Sequence, residues 1–305
     1  MSGRILVIKL GALGDFVQAF GPFAAIRAHH PGARITLLTT PPFAELAGRS
    51  PWFDVVWTHG RPRGADWRGR LALLRSLRGG RFDRVYDLQT SGRSSRYRLL
   101  VGLRAEWSGI AWGASHPHAN PGRDDMHTVE RQAEQLRMAG IPAVPRPDLS
   151  WLDADLSGLA LPDRFALLVP GASPSRPGKR WPHFPALAAR LGEPCVVTGG
   201  PGEAELAAAI VAAAPGTIDL TGRTSLFQLA AIARRAAVAV GNDTGPTHLA
   251  AAAGSPTLAL FGGESEPARC APRGRAVSVL RREPLSALSP NEVAEEASRL
   301  LHMPG

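Results

Sequence analysis

"VAVGNDTGPTHLAAAAGSPTLALFG", residues 238–262, reads as strand, turn, helix, turn and strand in a single run. A short apolar run stops at Gly241, and Asn242, Asp243, Thr244 and Gly245 interrupt it. The alanine-rich stretch 247–253 has the composition of a helix, and TLALFG (257–262) is apolar again. Two buried strands joined by a helix form a βαβ unit, whose strands lie parallel. The turn at 241–245 therefore stands where a strand ends and a helix begins. The amino end of a helix offers unpaired N–H groups and a partial positive charge, which suit phosphate oxygens. Thr244 adds a hydroxyl, Gly245 lets the backbone approach closely, and His248 falls one turn on, on the face of Thr244. The plainer alternative is that Asp243 or Thr244 only caps the helix and His248 packs in a core.

The same alternation extends in both directions. In the first half, 4–10, 33–40, 54–59, 82–89 and 106–112 are strand-like; 16–30, 41–50, 66–80 and 126–140 are helix-like. Residues 141–164 are rich in proline and interrupt the rhythm as an interdomain connection. It then restarts, with strands at 165–171, 195–200, 217–220, 238–242 and 257–262. Helices fall at 183–191, 203–214, 225–236, 247–253 and 289–301. The expected architecture is α/β: two doubly wound, Rossmann-like domains, 1–150 and 151–288, followed by a C-terminal helix in 289–305. Ligands in such folds bind at the carboxyl ends of the strands, and the cleft between two facing domains is the expected active site.

Composition limits the function. The chain has 305 residues, 44% hydrophobic and 20% charged, which is that of a globular protein long enough for two cores. No apolar run reaches the length of a membrane-spanning helix, and the start, MSGRILVIKLGALGDF, lacks a signal-peptide layout; the expected location is the cytoplasm. Cys195 and Cys270 have no paired spacing, so neither a disulfide nor a zinc site is expected. The formal charge is +9 and the isoelectric point about 10.9. That suits nucleic acid, an anionic membrane surface or a phosphorylated substrate. Nucleic acid ranks low, because aromatic platforms and binding motifs are missing. Of 35 basic residues only Lys9 and Lys179 are lysines. Lys9 lies in an apolar run, where a lysine can snorkel.

Two further loops follow strands and precede helices. PGASPSRPGKRWPHF (170–184) supplies Ser173 and Ser175, pliable glycines, and the point charge of Lys179, suited to a diphosphate. It lacks the P-loop order, and a solvated basic loop is an equal reading. KLGALGDFVQAF (9–20) brackets a turn with glycines and places Asp15 at the head of a helix, either as a cap or as a carboxylate able to take a proton from a hydroxyl.

ILVIKLGALGDFVQAFGPFAAIR, GKRWPHFPALAARL and VGNDTGPTHLAAAAGSPTLALFG, in that order and spacing, resemble the ADP-heptose:lipopolysaccharide heptosyltransferases, glycosyltransferase family 9; MHTVERQAEQLRMAGI is similar to the family's helix before the linker. The resemblance implies a GT-B fold and inverting, metal-independent sugar transfer without a cofactor. The donor would be a nucleotide-diphosphate sugar, typically ADP-heptose, and the acceptor the lipopolysaccharide inner core, reached at the inner face of the membrane. It implies Asp15 as general base, Lys179 on the donor phosphates, and Asp243, Thr244, Gly245 and His248 at the donor, with Ser173 and Ser175 nearby. Glu203 or Glu205 falls in the region of the family's ribose-binding glutamate. The acceptor bears carboxylates and phosphates, which suits the loop arginines Arg61, Arg63, Arg93 and Arg96, and more broadly Arg98 and Arg123. HPHANPGRDDMH (116–127) is expected to be a mobile acceptor-side loop without metal-ligand spacing. The competing expectations are a GT-B enzyme for another sugar or acceptor, and a non-catalytic nucleotide-binding protein.

Overall fold

A computed structural model describes residues 3–62 and 64–302. The chain divides into two compact units, Met1–Trp151 and Leu152–Gly305. The first contains β1 (Arg4–Ile8), α1 (Leu13–Val17), α2 (Phe20–His29), β2 (Arg34–Leu38), α3 (Ala44–Gly48), β3 (Val55–Trp57) and α4 (Trp67–Gly79). It continues with β4 (Arg84–Asp87), α5 (Gly92–Val101), β5 (Glu106–Gly109), β6 (His116–Pro117) and α6 (Thr128–Met138). The second contains β7 (Ala166–Val169), α7 (Phe184–Ala188), β8 (Cys195–Val197), α8 (Ala204–Ala213), β9 (Ile218–Asp219) and α9 (Leu226–Arg235). After these come β10 (Val238–Asn242), α10 (Gly245–Ala253), β11 (Thr257–Phe261), α11 (Pro267–Cys270), β12 (Val277–Arg281) and α12 (Pro290–Leu301).

The sheets run β3-β2-β1-β4-β5-β6 and β12-β11-β10-β7-β8-β9, and every pairing is parallel. Strand order reverses between β1 and β4 in the first unit and between β7 and β10 in the second. At those points two neighbouring strands send their chains to opposite faces and open a crevice beyond their carboxyl ends. The central strands are mostly apolar because helices cover both faces: all four residues of β7 and all five of β10 and β11 are buried.

In the first unit Phe16, Phe20, Phe23, Phe43, Trp52 and Trp151 form an aromatic cluster, with the Phe16 and Phe43 rings stacked at 4.8 Å. Val144 and Pro145 lie so close to Gly21 of α2 that a Cβ there would approach them at 3.0 and 3.2 Å. The proline-rich connection is therefore packed: its first part and Trp151 cover α2, and the carbonyl of Leu152 accepts from Arg234 of α9 at 2.6 Å. In the second unit α12 buries Val293, Ala297 and Leu300 in the same core as β7, β8, β10 and β11. Ser289 and Glu292 cap its first turn reciprocally.

Some elements differ from the sequence expectation. The single helix expected over 16–30 is interrupted between α1 and α2 at Gln18 and Ala19. α5 and β12 were not anticipated. α5 lacks an apolar period, and its start is fixed by Ser91, whose side chain accepts from the Ser94 N–H. β12 is a half-exposed edge strand. Lys9 does not snorkel: it is 3% exposed. Among the described residues no helix is long and apolar enough to cross a membrane.

Candidate functional site

In the second unit the 238–248 stretch forms the end of β10 and the start of α10, beside β7. Asn242 is fully buried. Its Nδ2 donates to the carbonyls of Pro170 (2.8 Å) and Gly171 (3.2 Å), and its Oδ1 accepts from the Trp181 N–H (3.1 Å). One side chain thus clamps both ends of the 170–181 loop to β10. The Trp181 indole, 1% exposed, donates to Leu288 O and anchors the far end. On the outer side Glu264, after β11, accepts from the Gly178 N–H at 2.7 Å.

These clamps deliver Lys179 to Asp243, with Nζ 2.5 Å from Oδ2. Ser265 donates to the same oxygen at 2.6 Å, and His248 Nε2 stands 3.3 Å from Oδ1. Burial pushes the Asp243 carboxyl up, but bonds from His248, Lys179 and Ser265 outweigh it and hold the group at about 2. Asp243 is therefore an ionised, 5% exposed hub that orients three other side chains.

The capping alternative fails for Thr244. It occupies the N-cap position in extended conformation, yet its side chain makes no capping bond. Thr247 instead turns its hydroxyl back to Asn242 O at 2.7 Å. Pro246 has no N–H, so the Gly245 and Thr247 amides are the donors at the helix start that lack an intrahelical acceptor. Ser173 and Ser175 are exposed and face each other at 2.9 Å. Glu203 lies against the ends of β7 and β8: a Cβ at Gly171 would stand 1.8 Å from its Oε1, and one at Gly199 2.5 Å from its Oε2. Glu205 is exposed on α8.

In the first unit Asp15 is half-buried in the first turn of α1, and its Oδ2 accepts from the Ala12 N–H at 3.3 Å. Behind it Lys9 donates to Leu88 O at 3.2 Å. Burial pushes the Lys9 ammonium down, opposed by the Asp15 and Asp87 carboxylates. Asp87, at the end of β4, is pushed up to about 7 by burial, although its Oδ1 accepts from the Gln89 and Thr90 N–H groups at 3.1 Å each. Thr90 sits at φ 44°, an unusual conformation for a β-branched residue. Gln89 Oε1 takes the Leu10 N–H at 2.7 Å, and Gln135 of α6 donates to Asp87 O. The ends of β1 and β4 are thereby tied together beneath Asp15. Arg131 of α6 lies within electrostatic reach of Asp15, so two cations flank this carboxylate.

The acceptor-side arginines divide. Arg61 and Arg93 both act on Tyr97, whose hydroxyl donates to Gly60 O at 2.7 Å. Gly60 in turn lies against Leu10, so this turn adjoins the loop leading to Asp15. Arg93 and Arg96 belong to α5 rather than to a loop, and both are exposed. Arg63 lies outside the described residues. Arg98 turns inward, 8% exposed, to the carbonyls of Trp112 and Gly113, and Arg123 pairs with Asp124 at 2.8 Å. Both thus have structural partners. In the 116–127 segment His118 is 3% exposed and bonded to Glu134, while His127 accepts from the Val129 N–H at the start of α6. The histidines pin this segment. Among the described residues no three His, Cys, Asp or Glu side chains converge as a metal-ligand set. The sequence reading assigned no role to Asn242, Ser265, Glu264, Asp87 or Arg131.

The chain's residues 70–296 match the model of glycosyltransferase family 9 (heptosyltransferase). It is similar to lipopolysaccharide heptosyltransferase 2 of Escherichia coli K12, 27% identical over 300 residues that cover 86% of this chain and 83% of that protein. It is also similar to the lipopolysaccharide core heptosyltransferase OpsX of Haemophilus influenzae, at 24% identity over 88% of this chain and 81% of OpsX. Among solved structures it resembles E. coli ADP-heptose lps heptosyltransferase II, with a TM-score of 0.77, 25% identity and 98% of each chain covered. E. coli heptosyltransferase WaaC with ADP shares the fold at a TM-score of 0.77 and 22% identity, over 97% of this chain and 99% of that one.

Proposed function

Since the chain belongs to glycosyltransferase family 9, and is thereby a sugar transferase, we propose that it moves a heptose from ADP-heptose to the inner core of lipopolysaccharide. The observation that carries this reading is the Lys179–Asp243 pair beside the uncapped start of α10, at the strand-order reversal of the second unit. A diphosphate there meets one ammonium and the Gly245 and Thr247 amides, which stabilise the negative charge that grows as the ADP oxygen leaves the sugar. Ser173, Ser175 and Thr244 supply hydroxyls, and His248 steadies Asp243. Asp15 of the first unit takes the proton of the acceptor hydroxyl. That hydroxyl attacks the anomeric carbon from the side opposite the departing ADP, so the configuration inverts. Arg61, Arg93 and Arg96 bind acceptor carboxylates or phosphates. The protein works at the cytoplasmic face of an anionic membrane, without a cofactor or resident metal.

The heptosyltransferase names of the relatives support the choice of sugar. Calorimetric titration tests the donor: ADP is expected to bind at least about tenfold more tightly than UDP or GDP. Equal affinities would favour another nucleotide sugar. Transfer is expected to persist in excess chelator; loss with rescue by magnesium or manganese would contradict the metal-free reading.

Glu203, rather than the exposed Glu205, is assigned to the ribose hydroxyls, because Gly171 and Gly199 leave room for its carboxylate at the strand ends. Gly171→Ala forces that carboxylate away. It is expected to lower ADP affinity by about tenfold or more, the value of a hydrogen bond to a charged group. Glu203→Gln should reproduce much of the loss with little change in thermal stability. Unaltered affinity in Glu203→Gln removes Glu203 from the donor site.

A further inference from the structure

Large apolar side chains that stand in water are few among the described residues, and four lie on or beside α4 and α5. Trp67 opens α4 at 64% exposure, Leu99 lies in α5 at 73%, Leu103 follows α5 at 71%, and Trp112, in the loop after β5, reaches 95%. The Trp112 loop is not loose. Arg98 of α5, itself buried, donates to the carbonyls of Trp112 and Gly113 and holds the loop to the helix. A buried guanidinium thus fixes a backbone whose indole touches almost nothing. The unit's own packing does not require that indole, so its exposure points outward to a partner.

The charge around these side chains is mainly positive. The helices α4 and α5 together carry seven arginines and no carboxylate. Beyond Leu103, Arg78, Arg81, Arg84 and Arg104 outnumber Asp83 and Glu106 in the lining of an open basin of about 1320 Å³ next to Val101. A second copy of this face would bring arginines against arginines, which disfavours self-association through it. Apolar tips ringed by arginine fit a surface that is apolar inside and carries phosphate at its rim.

We propose that this face docks on an anionic phospholipid bilayer. The Trp112 indole and the side chains of Leu99 and Leu103 enter the boundary between headgroups and acyl chains, where tryptophan is favoured. Arg78, Arg81 and Arg104 lay their stems along the same boundary and meet lipid phosphates. This deepens the proposed function by placing the membrane on a named face of the first unit, and it is tested without donor or acceptor.

The test is flotation of the full chain with vesicles of phosphatidylglycerol and phosphatidylethanolamine, against vesicles of phosphatidylcholine alone. Binding is expected for the anionic vesicles only, with release at about 0.5 M salt, where surface charges are screened. Trp112→Ala, Leu103→Ser and Arg78→Glu/Arg104→Glu are each expected to reduce the bound fraction by about fivefold or more. Wild-type tryptophan emission should shift to the blue on vesicle addition, and the shift should shrink in Trp112→Phe. Transfer to a soluble, delipidated acceptor should be unchanged in Trp112→Ala, so failure of transfer in the wild type and failure of docking are read separately. Equal binding to both vesicle types, or undiminished binding by all three variants, overturns the proposal. So does a wild-type dimer that Trp112→Ala dissolves, or displacement from vesicles by single-stranded nucleic acid.

Discussion

Asp15→Asn is expected to lower turnover by about a hundredfold or more, the scale on which a general base acts, while ADP affinity stays within about twofold. The substitution is a narrow one. An asparagine amide oxygen can still accept the Ala12 N–H that Asp15 accepts at 3.3 Å, so α1 keeps its start and the loss is confined to proton acceptance. Lys9 and Arg131 both lie within electrostatic reach of Asp15. Lys9 is held by Leu88 O and Arg131 lies on α6, so neither cation need move during transfer. Steady-state transfer measured beside calorimetric ADP binding separates the roles. Normal turnover in Asp15→Asn reduces this residue to a helix cap. A loss of ADP affinity as large as the loss of turnover assigns it to binding rather than chemistry.

The two sheets were legible because parallel strands covered on both faces read as near-continuous apolar runs; RILVI, ALLV and TLALF announce themselves. α5 was hidden because GRSSRYRLLV has no apolar stripe, and a serine cap and the inward turn of Tyr97 and Arg98 hold it. Arg98 looked like an acceptor ligand by type, yet it is a tie between helix and loop, and residue type alone cannot distinguish the two. The donor-side candidates lie close together in sequence around 173–179 and 243–248, which made them readable. Their supports come from afar. Ser265 reaches Asp243 from 22 residues away and Glu264 reaches Gly178 from 86. Such convergence exists only once β10 and β11 lie side by side. The same holds for Asp87, whose carboxyl gains meaning only from burial beside Lys9.

Lys179→Ala is expected to weaken ADP binding by about tenfold to a hundredfold, the value of a charge-assisted hydrogen bond. Asp243→Asn should weaken it less, and the double variant should bind about as poorly as Lys179→Ala alone. The reason is geometric: Asp243 is 5% exposed, its oxygens are engaged by Lys179, Ser265 and His248, and it acts on a ligand by holding the ammonium in place. Once the ammonium is gone, its support has nothing left to position. Fully additive losses would instead make Asp243 a donor ligand in its own right. Stability supplies an independent reading. Lys179→Ala leaves a buried carboxylate with only Ser265 and His248 as partners, a larger disturbance than loss of a loop lysine, about 1–3 kcal/mol. The acid limb distinguishes the variants further. The Asp243 carboxyl is held at about 2, below its ordinary 3.8, so its contribution is present above pH 3.8 and disappears as pH falls through about 2. That contribution is about 2 kcal/mol. Asp243→Asn should flatten the fall in thermal stability between about pH 4 and pH 2. In Lys179→Ala the carboxyl loses its strongest cation and rises, so the fall begins at higher pH. If neither variant changes ADP affinity and only the acid limb moves, the pair serves the fold alone and the 241–248 turn is an ordinary strand-to-helix join.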